Sequence, residues 1–209
     1  MVEIDSRIKE LLKLGLLKID PFYDGKRSPG EISRGLSSAG YDLTLANEFM
    51  CLPSTLFVDT TSIVEAATRT DLKFLLDPKD VDHSLFRECV HDGPVWLRPH
   101  GFVLARSVEY LHIPREHIGL VFGKSTYARC GLVVNATPLE PGWHGHVTLE
   151  LFNASPYFVR LYPGEGIAQV LFVKLSGLPE KDYSKRGGVY QGQVGVTLPR
   201  VSVGEVKDV

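Results

Sequence analysis

The sequence predicts a mainly β fold: a distorted β-barrel or jelly roll with an N-terminal helix and a mobile C-terminal tail. Three observations predict it. After Pro94 the apolar residues fall in short runs, and Gly, Pro, Asn or Ser separates most of them, which is the spacing of a barrel or jelly roll. Before Gly15 the apolar spacing is helical instead. Beyond Ser184 come Gly187, Gly188, Gly192 and Gly195, as in a tail that is free to move when nothing is bound.

The elements follow in chain order. Asp5 or Ser6 is placed to cap a short helix with Ile8, Leu11 and Leu12 on one face, and Gly15 suits its C-terminal end. Leu16 to Ile19 turns extended and Pro21 closes that segment. Residues 24–40 carry Gly, Ser, Lys and Arg without periodicity and read as a long loop. Tyr41-Asp42-Leu43-Thr44-Leu45 alternates as a strand does. Residues 60–93 are ambiguous: Leu72 to Leu76 and Asp80 to Cys89 fit helical turns, with Pro78 between them. The β runs are then 102–105, 120–122, 132–134, 147–152, 158–161 and 167–173.

Bulk properties narrow the function. The length suits one domain over residues 1–209, with 184–209 as its flexible tail. Hydrophobic content of 44% and charged content of 23% are ordinary for a globular protein able to bury a core without staples. Net charge is -2, so there is no basic footprint for nucleic acid. Any anionic ligand must be met by a local cluster of cations. The three cysteines Cys51, Cys89 and Cys130 include no C-x-x-C pair, which argues against a disulfide framework and a structural zinc site. Met1 to Lys9 lacks the apolar core of a signal peptide, and no apolar run reaches a membrane span. A reducing cytoplasm is the expected compartment.

The densest chemistry lies in Gly123-Lys124-Ser125-Thr126-Tyr127-Ala128-Arg129-Cys130-Gly131. A strand delivers a turn with two cations and two hydroxyls, suited to phosphate oxygens. It is not a Walker A loop. The motif G-x-x-x-x-G-K-[ST] needs glycine at position 118, which is Ile118, and Leu120 to Phe122 are strand-like where a phosphate cradle needs exposed amides. Downstream, Glu150 sits in Val147-Thr148-Leu149-Glu150-Leu151-Phe152. Alternation puts Thr148, Glu150 and Phe152 on one face and Leu149 and Leu151 on the other. Two readings are open: a carboxylate with a raised pKa fit for proton transfer, or a solvent-facing residue of a half-exposed strand.

Other groups are weaker. His144 and His146 share a strand face, as a metal pair or, more commonly, as histidines on the rim of a turn. His83, His91 and Cys89 lack zinc-finger spacing. The zinc deaminase pattern H-x-E with P-C-x-x-C is absent. Cys130 reads as a small buried residue rather than a nucleophile, and Trp143 after Pro141-Gly142 reads as a packing anchor.

The stretch Gly123 to Asn153 resembles the signature of the dCTP deaminases, relatives of the trimeric dUTPases. Ser37-Ser38-Ala39-Gly40-Tyr41-Asp42, the segment from Leu104-Ala105-Arg106 to Ile113-Pro114, and the tail from Tyr190-Gln191-Gly192-Gln193 to Arg200 match as well. Several ordered blocks make a specific signal. The resemblance covers most of the chain, and residues 71–92 look partly like an insertion. It implies a dUTPase-like barrel and the hydrolytic, zinc-independent deamination of dCTP to dUTP and ammonia, which supplies dUTP for dUMP and dTMP synthesis. It implies Glu150 as the proton donor and acceptor, with Ser125 and Arg129 ordering the catalytic water. The nucleotide-binding set it implies is Lys124, Ser125, Thr126, Tyr127, Ala128, Arg129, Thr148, Leu149, Glu150, Gln169, Tyr183 and Gln193. No protein metal ligand belongs to it; Mg²⁺ is expected on the triphosphate. A homotrimer with sites between subunits is implied, and dTTP as an inhibitor. Two departures stand out. Val189 replaces a lysine common before the tail tyrosine, and Lys185 or Arg186 is the candidate replacement. Glu140 replaces the aspartate that bifunctional relatives use to place a water at the triphosphate. The rival readings are therefore a bifunctional enzyme that gives dUMP and pyrophosphate, and a non-catalytic nucleotide-binding regulator on the same fold. A plain dUTPase is disfavoured, because the tail lacks R-G-x-x-x-F-G-[ST].

Overall fold

The computed structural model describes residues 1–25, 28–52 and 76–201. One helix, α1 (Asp5–Lys13), leads into β1 (Lys18–Asp20), β2 (Gly35–Leu36) and β3 (Tyr41–Cys51). A 3-10 turn at His83–Leu85 precedes β4 (Arg87–Val90), β5 (Val95–Leu97), β6 (Phe102–His112) and β7 (His117–Gly123). A single helical turn, α2 (Ser125–Ala128), is followed by β8 (Leu132–Asn135), β9 (His144–Asn153), β10 (Val159–Leu161) and β11 (Gly166–Lys174). The expected turn at Leu72 lies largely outside the described residues.

The main sheet runs β7-β11-β3-β6-β9-β8, with β1 added to β6 and both β2 and β4 to β3; β10 pairs with β5. The two ends of this path approach each other. A Cβ placed on Gly123 at the end of β7 would sit 3.1 Å from Cβ of Val134 in β8, and Gly119 and Leu139 exchange backbone hydrogen bonds. The sheet is thus nearly closed into a barrel, as its strand spacing predicts. Its interior is filled by Tyr41, Leu43 and Leu45 of β3, Leu149 and Leu151 of β9, and Val170 and Phe172 of β11, with Ile8 and Leu11 of α1 in the same core.

The helix keeps its predicted apolar face, but not its predicted cap. Ile4 is the N-cap residue and supplies no side-chain hydrogen bond; the Asp5 carboxylate instead accepts from the Ser6 amide. Gly15 does close the helix with a positive φ of 67°, a conformation that costs glycine little. Residues 80–89 form no helix beyond the 3-10 turn, and 87–90 pair with β3 as a strand. Asp82 caps the turn by accepting from the Ser84 amide and hydroxyl. The tail over 184–200 is seated against the barrel.

β3 departs from simple half-exposure because both of its faces are buried from Tyr41 to Ala46. Its polar face is satisfied internally. Asp42 accepts from Lys124 Nζ at 2.6 Å. Glu109, fully buried in β6, accepts from the Thr44 amide at 2.9 Å and hydroxyl at 2.6 Å. Burial pushes the Glu109 carboxyl up from 4.5 to about 7, against the opposing hydrogen bonds from Thr44. Because the folded protein favours the protonated form, the stability contributed by that proton is full below pH 4.5 and is lost as pH rises through about 7. Glu109→Gln should therefore flatten the decline in stability across this window, read as the denaturant midpoint of each protein at a series of pH values.

Candidate active site

The site is built on β9. Its residues alternate as the sequence predicts: Leu149 and Leu151 are fully buried in the core, while Thr148 and Glu150 face a cavity of about 550 Å³. Four parts of the chain wall this cavity. The barrel supplies Phe102, Leu104, Val147, Thr148 and Glu150. The segment after β8 supplies Ala136 through Glu140. Leu76, Pro78, Val81 and Phe86, upstream of β4, form an apolar side, and the tail adds Tyr190, Gln193, Thr197 and Pro199.

Glu150 is half-buried in this largely apolar setting. Burial raises its pKa, against hydrogen bonds from Asn135 and the backbone that lower it. Asn135 lies directly opposite in β8 and donates from Nδ2 to Glu150 Oε2 at 2.8 Å. The result is a carboxylate held in one orientation, with its charged form penalised by desolvation rather than by a charged neighbour. Glu150 is thus part-exposed, as the second of the two sequence readings has it, and lines the cavity, as the first requires.

The tail is fixed by backbone and side-chain bonds. The His146 amide donates to the Gln193 carbonyl, and the Gly192 amide to the His144 carbonyl. Trp143 Nε1 donates to the Tyr190 carbonyl at 2.8 Å and Gln191 Nε2 to the Gly142 carbonyl at 3.0 Å. The Thr148 hydroxyl accepts from Gln193 Nε2 and from the Thr197 amide, both at 3.3 Å. His83 of the 3-10 turn shares a hydrogen bond with the Pro199 carbonyl, so the two flanking walls also touch each other.

The chain matches the dCTP deaminase-like family model over residues 3–175. It belongs to that family. A dCTP deaminase of Herpetosiphon aurantiacus is 45% identical over 183 residues, covering 88% of this chain and 90% of the relative. One of Thiobacillus denitrificans is 46% identical over 187 residues with the same coverage, and one of Bordetella parapertussis is 42% identical over 203 residues, 95% of this chain and 98% of the relative. Among solved structures, the 2'-deoxycytidine 5'-triphosphate deaminase from Agrobacterium tumefaciens aligns with a TM-score of 0.55 at 15% identity, over 82% of this chain and 47% of that one. This chain therefore spans about half the length of that structure, and the likeness concerns the fold alone.

Against the family pattern, the predicted site residues fall into two groups. Thr148, Glu150, Tyr183 and Gln193 line the one cavity. Lys124, Ser125, Thr126, Tyr127, Ala128, Arg129 and Gln169 do not. Ser125, Thr126, Ala128 and Arg129 are exposed around α2, with the Arg129 guanidinium donating to the Ser125 carbonyl. Thr126 borders a separate depression with Ser28 to Ser33. Lys124 is tied to Asp42 and, at 2.7 Å, to the Ser33 hydroxyl, so two of its three donors are already engaged. Tyr127 is a core residue whose hydroxyl accepts from the Tyr162 amide. Gln169 donates to the Ser37 hydroxyl and the Ala39 carbonyl. The Leu149 side chain points into the core, which leaves only its backbone near the cavity.

Several further calls meet the geometry here. Trp143 is 4% exposed and anchors the tail as well as the core. Cys130, expected to be buried, is exposed. His144 and His146 lie within β9 rather than on a turn rim. His144 shares a short hydrogen bond with the Tyr110 hydroxyl, and His146 contacts Arg106. The sequence reading missed Asn135, together with the apolar side formed by Val81 and Phe86. Asn135 had one available signal, its place at the end of a strand that a hairpin returns beside Glu150.

The tail crosses β9 at Gly145, where φ is +151° and an added Cβ would meet the Gln193 amide nitrogen at 2.8 Å. Gly145→Ala should therefore unseat the tail while the barrel persists. The expected outcome is faster amide hydrogen exchange across residues 190–197 and earlier proteolytic loss of the tail, with the exchange of β3 and β11 unchanged.

Proposed function

We propose that this chain deaminates dCTP hydrolytically, converting dCTP and water to dUTP and ammonia. The observation that carries the reading is Glu150, a desolvated, oriented carboxylate on the wall of a nucleotide-sized cavity, at the position where the family resemblance expects the proton shuttle. The curated relatives named above support the same substrate. Glu150 takes a proton from the attacking water as its oxygen adds to C4 of cytosine. It passes that proton to N3, then takes the second from the new C4 hydroxyl and gives it to the amine, which leaves as ammonia, so one carboxylate with a raised pKa serves alternately as base and acid. Thr148 and Gln193 border the space for the base, and the tail forms one wall of it.

Mg²⁺ belongs to the substrate, carried on the triphosphate oxygens. Among the described residues there is no cluster of three or more His, Cys, Asp or Glu side chains suited to hold a metal. The exposed Ser125 and Arg129 of α2 serve the site of a neighbouring copy in a homotrimer. This reading is supported by their separation from the cavity and by their exposure at the surface. Binding of dTTP at the same site, a cytoplasmic location and a role in supplying dUTP for dTMP synthesis follow from the same reading. The chain has no helix long and apolar enough to cross a membrane among its described residues.

Two outcomes are expected. Glu150→Gln keeps shape but cannot shuttle a proton, so ammonia release should fall by ~10² to 10⁴-fold while nucleotide binding, followed by calorimetry, persists. Near wild-type turnover would remove Glu150 from the mechanism. The second concerns products. Glu140 lines the cavity, but its carboxylate extends one C–C bond, roughly 1.5 Å, beyond that of an aspartate, and an error of ~1 Å in placing a water can cost ~10²-fold. Time-resolved chromatography of a dCTP reaction should show dUTP as the main product. Stoichiometric dUMP and pyrophosphate with no free dUTP would instead establish the bifunctional reading.

A further inference from the structure

We propose that Asn135 is a positioning residue for the deamination, fixing which oxygen of Glu150 carries the shuttled proton. The inference rests on the deaminase reading above and on a separate geometric fact. Asn135 and Glu150 are direct register partners on β8 and β9, and the Asn135 amide donates to Oε2 at 2.8 Å.

An amide N–H directed at one carboxylate oxygen has a simple consequence. In the neutral acid the carbonyl oxygen is the better acceptor, so the Asn135 N–H favours keeping Oε2 as that oxygen and the exchangeable proton on Oε1. Asn135 itself cannot titrate or take up the proton, so it holds the geometry through both halves of the cycle, when Glu150 is anionic and when it is neutral. The same bond favours the anion and so limits how far burial can raise the carboxyl. Without it, the Glu150 carboxyl would stay protonated to higher pH. Asn135 also begins the segment that continues as Ala136, Thr137 and Pro138 in the cavity wall, so the bond ties that wall to the reacting carboxylate.

The surroundings leave Asn135 as the principal control. Leu104 of β6 faces Glu150 from the other side. On β9 the same face carries His144, His146, Thr148 and Phe152. The titratable groups of the cavity are Glu140, Tyr183 and Tyr190, and the apolar side near β4 contributes none. Among the described residues, burial raises the Glu150 pKa and the hydrogen bonds from Asn135 and the backbone lower it.

The test compares kcat against pH for the wild type, Asn135→Ala and Asn135→Asp, all first checked for an unchanged melting temperature and nucleotide affinity. Removing one hydrogen bond to a charged acceptor should move the acid limb of kcat upward by about one pH unit. It should lower the plateau by about tenfold, with KM little changed. Asn135→Asp, of the same shape, should move the limb further because a second carboxylate disfavours the anion. An infrared titration of the Glu150 carboxylate, obtained by difference against Glu150→Gln, should give the same shifts without turnover. It also covers the case in which the alanine variant folds poorly, since the aspartate variant can be read alone. A wild type that releases no ammonia from dCTP would defeat the deaminase reading and this proposal with it. An active wild type whose variants lose rate equally at every pH, with an unshifted carboxylate band, would defeat the positioning role alone.

Discussion

The structure depends on the seating of β9 between β6 and β8. This one strand does two jobs through its period of two. Val147, Leu149 and Leu151 fill the barrel, and Thr148 and Glu150 meet the cavity. A slip of one residue would exchange the two sets and put a carboxylate in the core. The register is held on one side by the β6 pairing, from Phe102 opposite Phe152 to His112 opposite His144. On the other side it is held by four pairs with β8, from Leu132 opposite Asn153 to Asn135 opposite Glu150. Asn153 adds a fastening at the end, donating from its side chain to the carbonyls of Leu97, Arg98 and Tyr157.

The β6 ladder is not uniform. Its register shifts between Arg106 and Tyr110, and the pairing with β3 shifts between Leu45 and Phe49. Polar residues occupy this irregular stretch, and each finds a partner distant in sequence. Arg106 forms a two-pronged pair with Glu48 at 2.6 and 2.8 Å. Ser107 accepts from the Val147 amide and donates to the Glu109 carbonyl. Glu109 binds Thr44. Irregular backbone in a barrel wall is tolerated here with the Arg106, Ser107 and Glu109 side chains all hydrogen-bonded.

That arrangement explains what could be read from the chain in advance. β9, β11 and the face of α1 were legible because their apolar periods are local and uninterrupted. The length of β6 was not: the run Phe102 to Ala105 suggested a short strand, and Arg106, Ser107 and Glu109 looked like its end. Their partners Glu48, Val147 and Thr44 lie about 40 to 65 residues away, and no local pattern announces them. β4 failed for a related reason, since Arg87 to Val90 has charged residues and becomes a strand only by pairing with β3. At the site, the period of two placed Glu150 on the face opposite Leu149 and Leu151 but left its role open between two readings. The separation of α2 from the cavity was not legible, because sequence adjacency of Lys124 to Arg129 says nothing about where the turn points. Lys124 itself is committed to Asp42 and Ser33, a partnership that only the fold assembles.

The cavity has an unusual order of manufacture. Every strand of the barrel precedes Leu175, yet the wall formed by Tyr190, Gln193, Thr197 and Pro199 comes after it. During synthesis the core can therefore close while Glu150 still faces open water. A chain ending between Leu175 and Tyr190 would keep every described strand of the barrel and lack that wall.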